Sequence, residues 1–284
     1  PLNNDFDPSG GILVLQSVKT PPDSGVTVTV VDHSLLQISA ASTVPANLTV
    51  EYTVTNGTSS ATGKVSIVPV TQSQPQPPVV TNDTAVVRAG DVVTVPVLDN
   101  DSSPAGLNLS VDSQVGLVGD ELGTAWVSEN TVRFRAGNQP GRTSYAYTAK
   151  DDQGQTASGV LTVEVRAQDA EHNSAPSPRN LEARTLAGSA TNITVPLDGI
   201  DPDGDSVNLV GLNQAPSLGS VEINSSWLTY TPSEGATGTD TFTYVVEDRF
   251  GAQATGTVRV GVAPASPLNV APVATDDLVV AKPG

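Results

Sequence analysis

Apolar and polar residues alternate with a period of two in short runs along the whole chain. Thr27-Val-Thr-Val-Val, Val92-Val-Thr-Val-Pro-Val, Thr162-Val-Glu-Val and Thr241-Phe-Thr-Tyr-Val-Val are examples. This is the period of a strand with one buried face. β-branched residues dominate the runs, and Gly, Pro, Asn and Asp interrupt them at short intervals. No segment carries a convincing helical period, so the pattern predicts an all-β chain.

The runs themselves repeat, about every 96 to 98 residues. Tyr52, Tyr147 and Tyr244 each stand in a strand-like run that leads into a polar turn and a second run, and Pro78, Pro176 and Pro272 each open a unit after a Pro-rich joint. A fixed period of this kind sets the architecture. It divides the chain into a partial module at 1–70, which lacks its first strand and most of its second, modules at 77–166 and 174–264, and the first strand of a further module at 270–284. In 174–264 the alternation predicts strands near 181–187, 192–197, 206–213, 218–224, 226–231, 239–248 and 252–262. In 77–166 it predicts them near 84–88, 92–98, 107–111, 131–135, 143–150 and 155–165, with an ambiguous stretch around 114–128. Seven short strands in about 90 residues predict an Ig-like β-sandwich. The proline-containing joints favour extended backbone over coil, so the expected arrangement is an elongated rod of tandem modules, each partnered by its neighbours in the chain. Gly284 aligns with Gly90 and Pro1 with Val97. Copies could therefore self-associate through exposed strand edges, the last strand of one completing the truncated unit of the next.

Composition narrows the functional classes. The 284 residues carry 30 acidic and 13 basic side chains, a net charge of −17. The excess is spread over every unit, so it is not an acidic tail. Such a surface repels nucleic acid and anionic lipid and attracts divalent cations. With no cysteine there is neither a disulfide framework nor a thiolate metal site. Methionine is absent too, and a chain without sulfur suits an exposed, extracellular setting. No run reaches the roughly 18 apolar residues of a membrane span.

Three polar signatures recur at the same place in each unit. One precedes the first strand: Asn82-Asp83, Asn180 and Asp276-Asp277. A second follows the second strand: Asn4-Asp5-Phe6-Asp7, Asp99-Asn100-Asp101, and Asp198-Gly-Ile-Asp201-Pro-Asp203-Gly-Asp205. A third lies between the last two strands: Asp151-Asp152 and Asp248. If successive strands alternate in direction, all three loops fall at one pole, beside the joint to the preceding unit. Carboxylates gathered there repel one another unless a cation is present, and oxygen ligands on loops suit Ca²⁺. The candidate ligands are Asp198, Asp201, Asp203, Asp205, Asp248 and Asn180 in the third unit, Asp83, Asp99, Asp101 and Asp151 in the second, and Asp5 and Asp7 in the first. The run from Asp201 to Asp205 is the best single candidate. It has no Glu at a twelfth position and no flanking helices, so it is not an EF-hand. The competing reading is an Asx-rich turn. In the first unit Asn56 replaces the acid of the third signature.

The pattern Ala271-Pro-x-Ala-x-Asp-Asp277, Asp201-Pro-Asp-Gly-Asp205 and Gly238-Thr-Asp-Thr-Phe-Thr-Tyr-Val-Val-Glu-Asp248 resembles bacterial tandem Ig-like and cadherin-like repeats of large surface proteins and adhesins. The resemblance implies a sandwich fold, an extracellular location, calcium at module junctions and no catalysis. His33 and His172 stand in different units and form no acid–base set. Carboxylates repeated in every unit fit a structural cation better than one active site. Trp126 and Trp227 occupy non-equivalent positions, which argues against a repeated sugar-stacking surface. The expected function is a non-catalytic stalk segment. A carbohydrate-binding accessory module and a filament subunit are the alternatives.

Overall fold

The computed structural model describes residues 1–40, 48–68 and 76–265. The joint Thr71–Pro78 lies mostly outside these residues. Pro272, Asp276, Asp277 and the strand expected at 270–284 lie wholly outside them. The described residues form twenty strands and no helix. The first unit holds β1 (Val14–Lys19), β2 (Val26–Val31), β3 (Leu35–Ala40), β4 (Leu48–Thr55) and β5 (Ser60–Ile67). The second holds β6 (Asp83–Arg88), β7 (Val92–Val95), β8 (Leu109–Val111), β9 (Gly116–Leu117), β10 (Gly123–Ser128), β11 (Thr131–Ala136), β12 (Gly141–Asp151) and β13 (Thr156–Arg166). The third holds β14 (Leu181–Leu186), β15 (Thr191–Thr194), β16 (Val207–Gln214), β17 (Gly219–Ile223), β18 (Trp227–Pro232), β19 (Gly238–Asp248) and β20 (Gln253–Ala263). All seven strands read from the alternation in the third unit are present. The ambiguous stretch of the second resolves into β9 and β10. Leu117 and Val118 there are 46% and 62% exposed, while Val115, Leu122, Ala125 and Val127 pack partly buried against the core, so the apolar residues of that stretch do not mark one continuous buried face.

Each complete unit is two facing sheets. In the third they are β14-β20-β19-β16 and β15-β18-β17, and in the second β6-β13-β12-β8, with β9 also on β12, faces β10-β11-β7. The first and last strands pair in parallel: β6 on β13 from Leu161↔Asp83 to Arg166↔Arg88, and β14 on β20 from Leu181↔Val258 to Leu186↔Ala263. Because the first strand runs parallel to the last, it begins at the end where the turn into the last strand lies, and Asp201 and Asp205 of the loop after β15 lie close enough to Asp248 of that turn to feel its charge. The loop after the second strand and the turn between the last two therefore share the end at which the chain arrives, called here the proximal end. In the first unit the described strands form β1-β4-β5 and β2-β3.

The buried face of each long hairpin supplies the core. Phe242, Tyr244 and Val246 of β19 lie against Val258, Val260 and Val262 of β20, all fully buried. Ring pairs bridge the sheets: Tyr230 and Phe242 stack with centroids 5.9 Å apart, and Phe134 and Tyr145 meet tilted at 5.6 Å. The repeated tyrosine has a partner that the sequence did not advertise. Tyr52, Tyr147 and Tyr244 each lie directly across the ladder from a glycine, Gly63, Gly159 and Gly256. A Cβ on Gly256 would come within 2.6 Å of the Tyr244 hydroxyl oxygen and nearer still to the ring. The ring uses the space of the missing side chain, and its hydroxyl reaches the incoming chain: Tyr147 donates to the carbonyl of Thr81 and Tyr244 to that of Arg179. Gly256→Ala is therefore expected to overpack the third unit and cost about 3 kcal/mol, read as a lower urea midpoint. An unchanged midpoint would show that the ring can move aside.

The second and third units meet end to end. The Arg88 N–H of β6 donates to the Gly204 carbonyl at 2.8 Å, and a Cβ on Gly204 would strike the Val86 and Val87 backbone. The proximal end of the first unit lies on the distal end of the third. Gly57 packs against Gly238 and Val262, the Ile12 N–H donates to the Thr239 hydroxyl at 2.9 Å, and Arg184 donates to the Leu13 carbonyl at 2.7 Å. Arg259 donates to the carbonyl of Gly10.

Candidate metal centre

The third unit's proximal end is where carboxylates converge. Oxygen atoms of Asp201, Asp203 and Asp205 lie within 4.8 Å of one another. Asp201 and Asp205 are each 6% exposed and Asp248 is 3% exposed. Local backbone chemistry explains one oxygen each of Asp201 and Asp248. Asp201 Oδ1 accepts the N–H groups of Asp203 and Asp205, at 2.9 and 3.0 Å. Asp248 Oδ1 accepts those of Phe250 and Ala252, at 2.8 and 2.9 Å, and Gly251 closes that turn at φ 89°. Each acid thus caps a turn with one oxygen, and the other oxygen is left for something else. The Asx-turn and cation readings of these positions are compatible, because they use different atoms.

The remaining oxygens are short of donors. Asp201 Oδ2, Asp205 Oδ1 and Asn173 Oδ1 are buried with no hydrogen-bond partner among the described residues. Asn173 reaches the cluster from the joint, donating through Nδ2 to Asp248 Oδ2 at 2.7 Å. Burial, with repulsion from Asp248 and from each other's neighbourhood, pushes the Asp201 and Asp205 carboxyls above the usual carboxylate range. Asp203 is held below that range, first by the Ser174 N–H and also by two arginines.

Those arginines belong to the second unit. Arg88 Nε lies 3.2 Å from Asp205 Oδ2 and its Nη2 3.7 Å from Asp203 Oδ2, with the Arg88 side chain 5% exposed. Arg166, opposite Arg88 in the β6–β13 register, lies 3.7 Å from Asp203 Oδ1 and donates to the Pro202 carbonyl. Arg249 in turn reaches back to Asp91 at 2.6 Å. The joint is a charged seam in which a guanidinium satisfies the outer face of the acidic cluster.

The other expected ligands are placed differently. Asp198 accepts the Thr94 N–H of the second unit at 3.3 Å. Asn180 accepts the Thr257 N–H at 3.3 Å, as Asn82 accepts that of Val160 at 3.0 Å, so this position ties the start of the first strand to the middle of the last, one residue before their parallel ladder begins. In the second unit Asp83 accepts from Asn100 and from the Tyr147 hydroxyl. Asp101 accepts the Thr81 N–H at 2.8 Å, and Asp99 adds to the repulsion that Asp83 feels. Asp151 caps its turn through Gln153 and Gln155, and its Oδ2 is buried without a partner. In the first unit Asp5 accepts from the Tyr52 hydroxyl. Asp7 accepts from Ser9, Gly11 and Asn56. Protein donors therefore serve the carboxylates of the first unit and most of those of the second, whereas the third leaves three oxygens open. Sequence reasoning missed Asn173, Arg88 and Arg166. The one available signal was two arginines at matching positions of otherwise Val-rich strands.

All the open donors are hard oxygens, two carboxylate and one amide, and this set fits Ca²⁺ rather than a softer metal. The chain matches the family described as Bacterial Ig domain twice, over residues 75–164 and 173–261. No curated protein matches it. Solved structures similar to it include the endo-fucoidan hydrolase MfFcnA4 from glycoside hydrolase family 107, at 17% identity and a TM-score of 0.32 over 89% of this chain. The chain spans 39% of that protein's length. The N-terminal four Ig domains of Dscam1 isoform 4.4 are similar at 13% identity and TM-score 0.37, over 89% of this chain and 74% of that one. The protocadherin GammaB4 extracellular domain is similar at 14% identity and TM-score 0.27, over 87% and 45%.

Proposed function

This chain belongs to the bacterial Ig domain family, and we propose that it is a non-catalytic structural segment of a long extracellular surface protein, with calcium stiffening the joint between its second and third units. The observation that carries this reading is the set of buried, unpartnered oxygens on Asp201, Asp205 and Asn173. Asp248 and Asp203 complete the ligand shell, and a bound cation would supply the charge that these carboxylates lack. Asn173 comes from the joint itself, so occupancy ties the joint to the unit that follows it. Arg88 and Arg166 already neutralise the outer carboxylate, Asp203, so one inner cation suffices. The role is mechanical: to hold an adhesive or sorting domain at a distance from the surface. Among the described residues no helix is long and apolar enough to cross a membrane.

Calcium titration tests this. With a dissociation constant near 10⁻⁴ M, typical of extracellular modules, 10 mM calcium stabilises the third unit by about 2.7 kcal/mol and raises its melting temperature by about 10 °C. Asp201→Asn retains the turn-capping oxygen and should abolish the response. No calorimetric binding and an unchanged melting curve and scattering profile after chelation would end the calcium reading.

A further inference from the structure

We propose that the outer face of β14-β20-β19 carries a docking site for an Asp-Pro-x-Gly turn, and that the turn it takes is Asp7-Pro-Ser-Gly10 of the same chain. The first and third units are then clasped together with no peptide joint between them. The turn is built alike in both places where the chain has one. Asp7-Pro-Ser-Gly10 and Asp201-Pro-Asp-Gly204 are its two Asp-Pro sequences. In each the Gly N–H donates to the Asp carbonyl, at 2.9 and 3.2 Å, and the glycine stands at φ 77° and 83°, where a side chain would be strained. In each the Asp carboxylate accepts the N–H groups two and four residues on: Ser9 and Gly11 for Asp7, Asp203 and Asp205 for Asp201. The bend is thus fixed by its own atoms, and a partner grips its carbonyls.

Arginines on the first and last strands of a neighbouring unit supply the grip. At the peptide joint between the second and third units, Arg166 of β13 donates to the Pro202 carbonyl at 2.8 Å, and the Arg88 N–H of β6 donates to that of Gly204. On the third unit, Arg259 of β20 donates to the Gly10 carbonyl and Arg184 of β14 to that of Leu13. A glutamate steadies the arginines in each case: Glu164 on Arg166, and Glu182 on both Arg184 and Arg259. Arg166 ends β13, whereas Arg259 stands four residues before the end of β20, so this seat lies further onto the sheet. Arg184, Gly261 and Thr239 form one row across β14, β20 and β19. Residues 12–14 lie on that row. The Ile12 N–H donates to the Thr239 hydroxyl, and a Cβ on Gly261 would come within 2.8 Å of Ile12 and 2.9 Å of Val14. Ile12 and Val14 are buried.

The turns and the arginine-bearing ends match one to one. The second and third units bear such ends, and the third and first bear the turns. Residues 1–87 contain no arginine, and the second unit's corresponding turn, Ser103-Pro-Ala-Gly106, lacks the acid. One end and one turn meet at the peptide joint, which leaves the third unit's end and the first unit's turn for each other. The grip is arginine on carbonyl and uses no cation, so it is independent of the calcium reading.

Cysteine trapping tests it, because the chain has no cysteine of its own. A Cβ on Gly261 would lie 3.1 Å from the Ile12 Cβ, close to the roughly 3.8 Å of a disulfide. Ile12→Cys/Gly261→Cys, air-oxidised at low concentration, should give a cross-linked monomer. Adding Arg184→Ala/Arg259→Ala should slow its formation about tenfold or more. In the chain without cysteines, Gly261→Val fills the seat with a residue that suits a strand. It should release the Ile12 amide to hydrogen exchange and leave β19 and β20 protected. Cross-linked dimers in place of monomers would assign the seat to a second copy and overturn the proposal. So would failure to cross-link, a rate that the arginine changes leave alone, or Ile12 exchange that Gly261→Val does not alter.

Discussion

Asp240→Ala lowers the stability of the third unit by about 4 kcal/mol. Asp240 is 1% exposed and carries a charge into the distal end of the sandwich, yet it is fully served. Its Oδ1 accepts from the Ser217 N–H and hydroxyl and from the Thr241 N–H, each at 2.9 Å. Its Oδ2 accepts from the Leu218 N–H at 2.8 Å and from the Tyr230 hydroxyl at 2.9 Å. Burial raises its pKa, and the Ser217, Leu218 and Tyr230 bonds overcome that effect and bring it below the usual carboxylate range. Tyr230, held against Asp240 in a buried site, is correspondingly pushed up. Truncation leaves the Tyr230 hydroxyl and the Leu218 N–H without partners, and the cost is that of their desolvation. Trp227 on β18 reports the transition in a Trp126→Phe background, by urea titration. The pH dependence has a definite sign. Because the folded pKa is depressed, the stabilisation is complete above the unfolded carboxylate pKa and is lost as pH falls through the folded value. The gap between wild type and Asp240→Asn should therefore narrow on acidification below about pH 4. A gap that widened would assign the stabilisation to another group.

Arg88→Ala is expected to cost about 3–5 kcal/mol, the usual penalty for removing one partner of a buried ion pair. The guanidinium lies between the units, with Nε on Asp205, Nη2 near Asp203 and Nη1 donating to the Ala167 carbonyl at 2.7 Å. Its loss leaves Asp205, whose side chain is fully buried, without its one cationic partner. Melting of the second and third units should then separate into two transitions, since the seam couples them. The double variant Arg88→Ala/Asp205→Ala should be less destabilised than the sum of its parts, because no charge is stranded. If calcium occupies the inner oxygens, Arg88→Ala also tightens its binding, roughly tenfold by loss of a nearby positive charge. A single-variant cost below about 1 kcal/mol would place the pair with exposed, solvent-screened bridges and remove it from the joint.

Much of the fold was legible in the alternation. The long hairpin strands bury every second residue, from Thr143 to Asp151 on β12 and from Asp240 to Asp248 on β19, and such strands announce themselves. β9 and β10 do not, because they lie at an edge where burial is partial. The acidic turn was legible for a different reason. Asp201, Asp203 and Asp205 are local to one another, and Gly204, at φ 83°, marks the bend between them. Asn173 and Arg88 were not legible, because they reach the site across 75 and 117 residues. Asn180 stands just before a strand, and parallel pairing turns its amide toward the β20 backbone instead of the carboxylates. Position along the repeat identified the right end of each unit. Which oxygens remain open there depends on neighbours that only the assembled sheets define.

The parallel pairing of first and last strands has a consequence for a chain under tension. Force applied at the two ends of the second unit enters through β6 and leaves through β13, which run side by side from Leu161↔Asp83 to Arg166↔Arg88. Pulling slides these strands along each other, so their ladder bonds resist together in shear instead of peeling one at a time. The third unit repeats the arrangement with β14 and β20. Under tension, each of these two units is thus clamped at the points where the chain enters and leaves it.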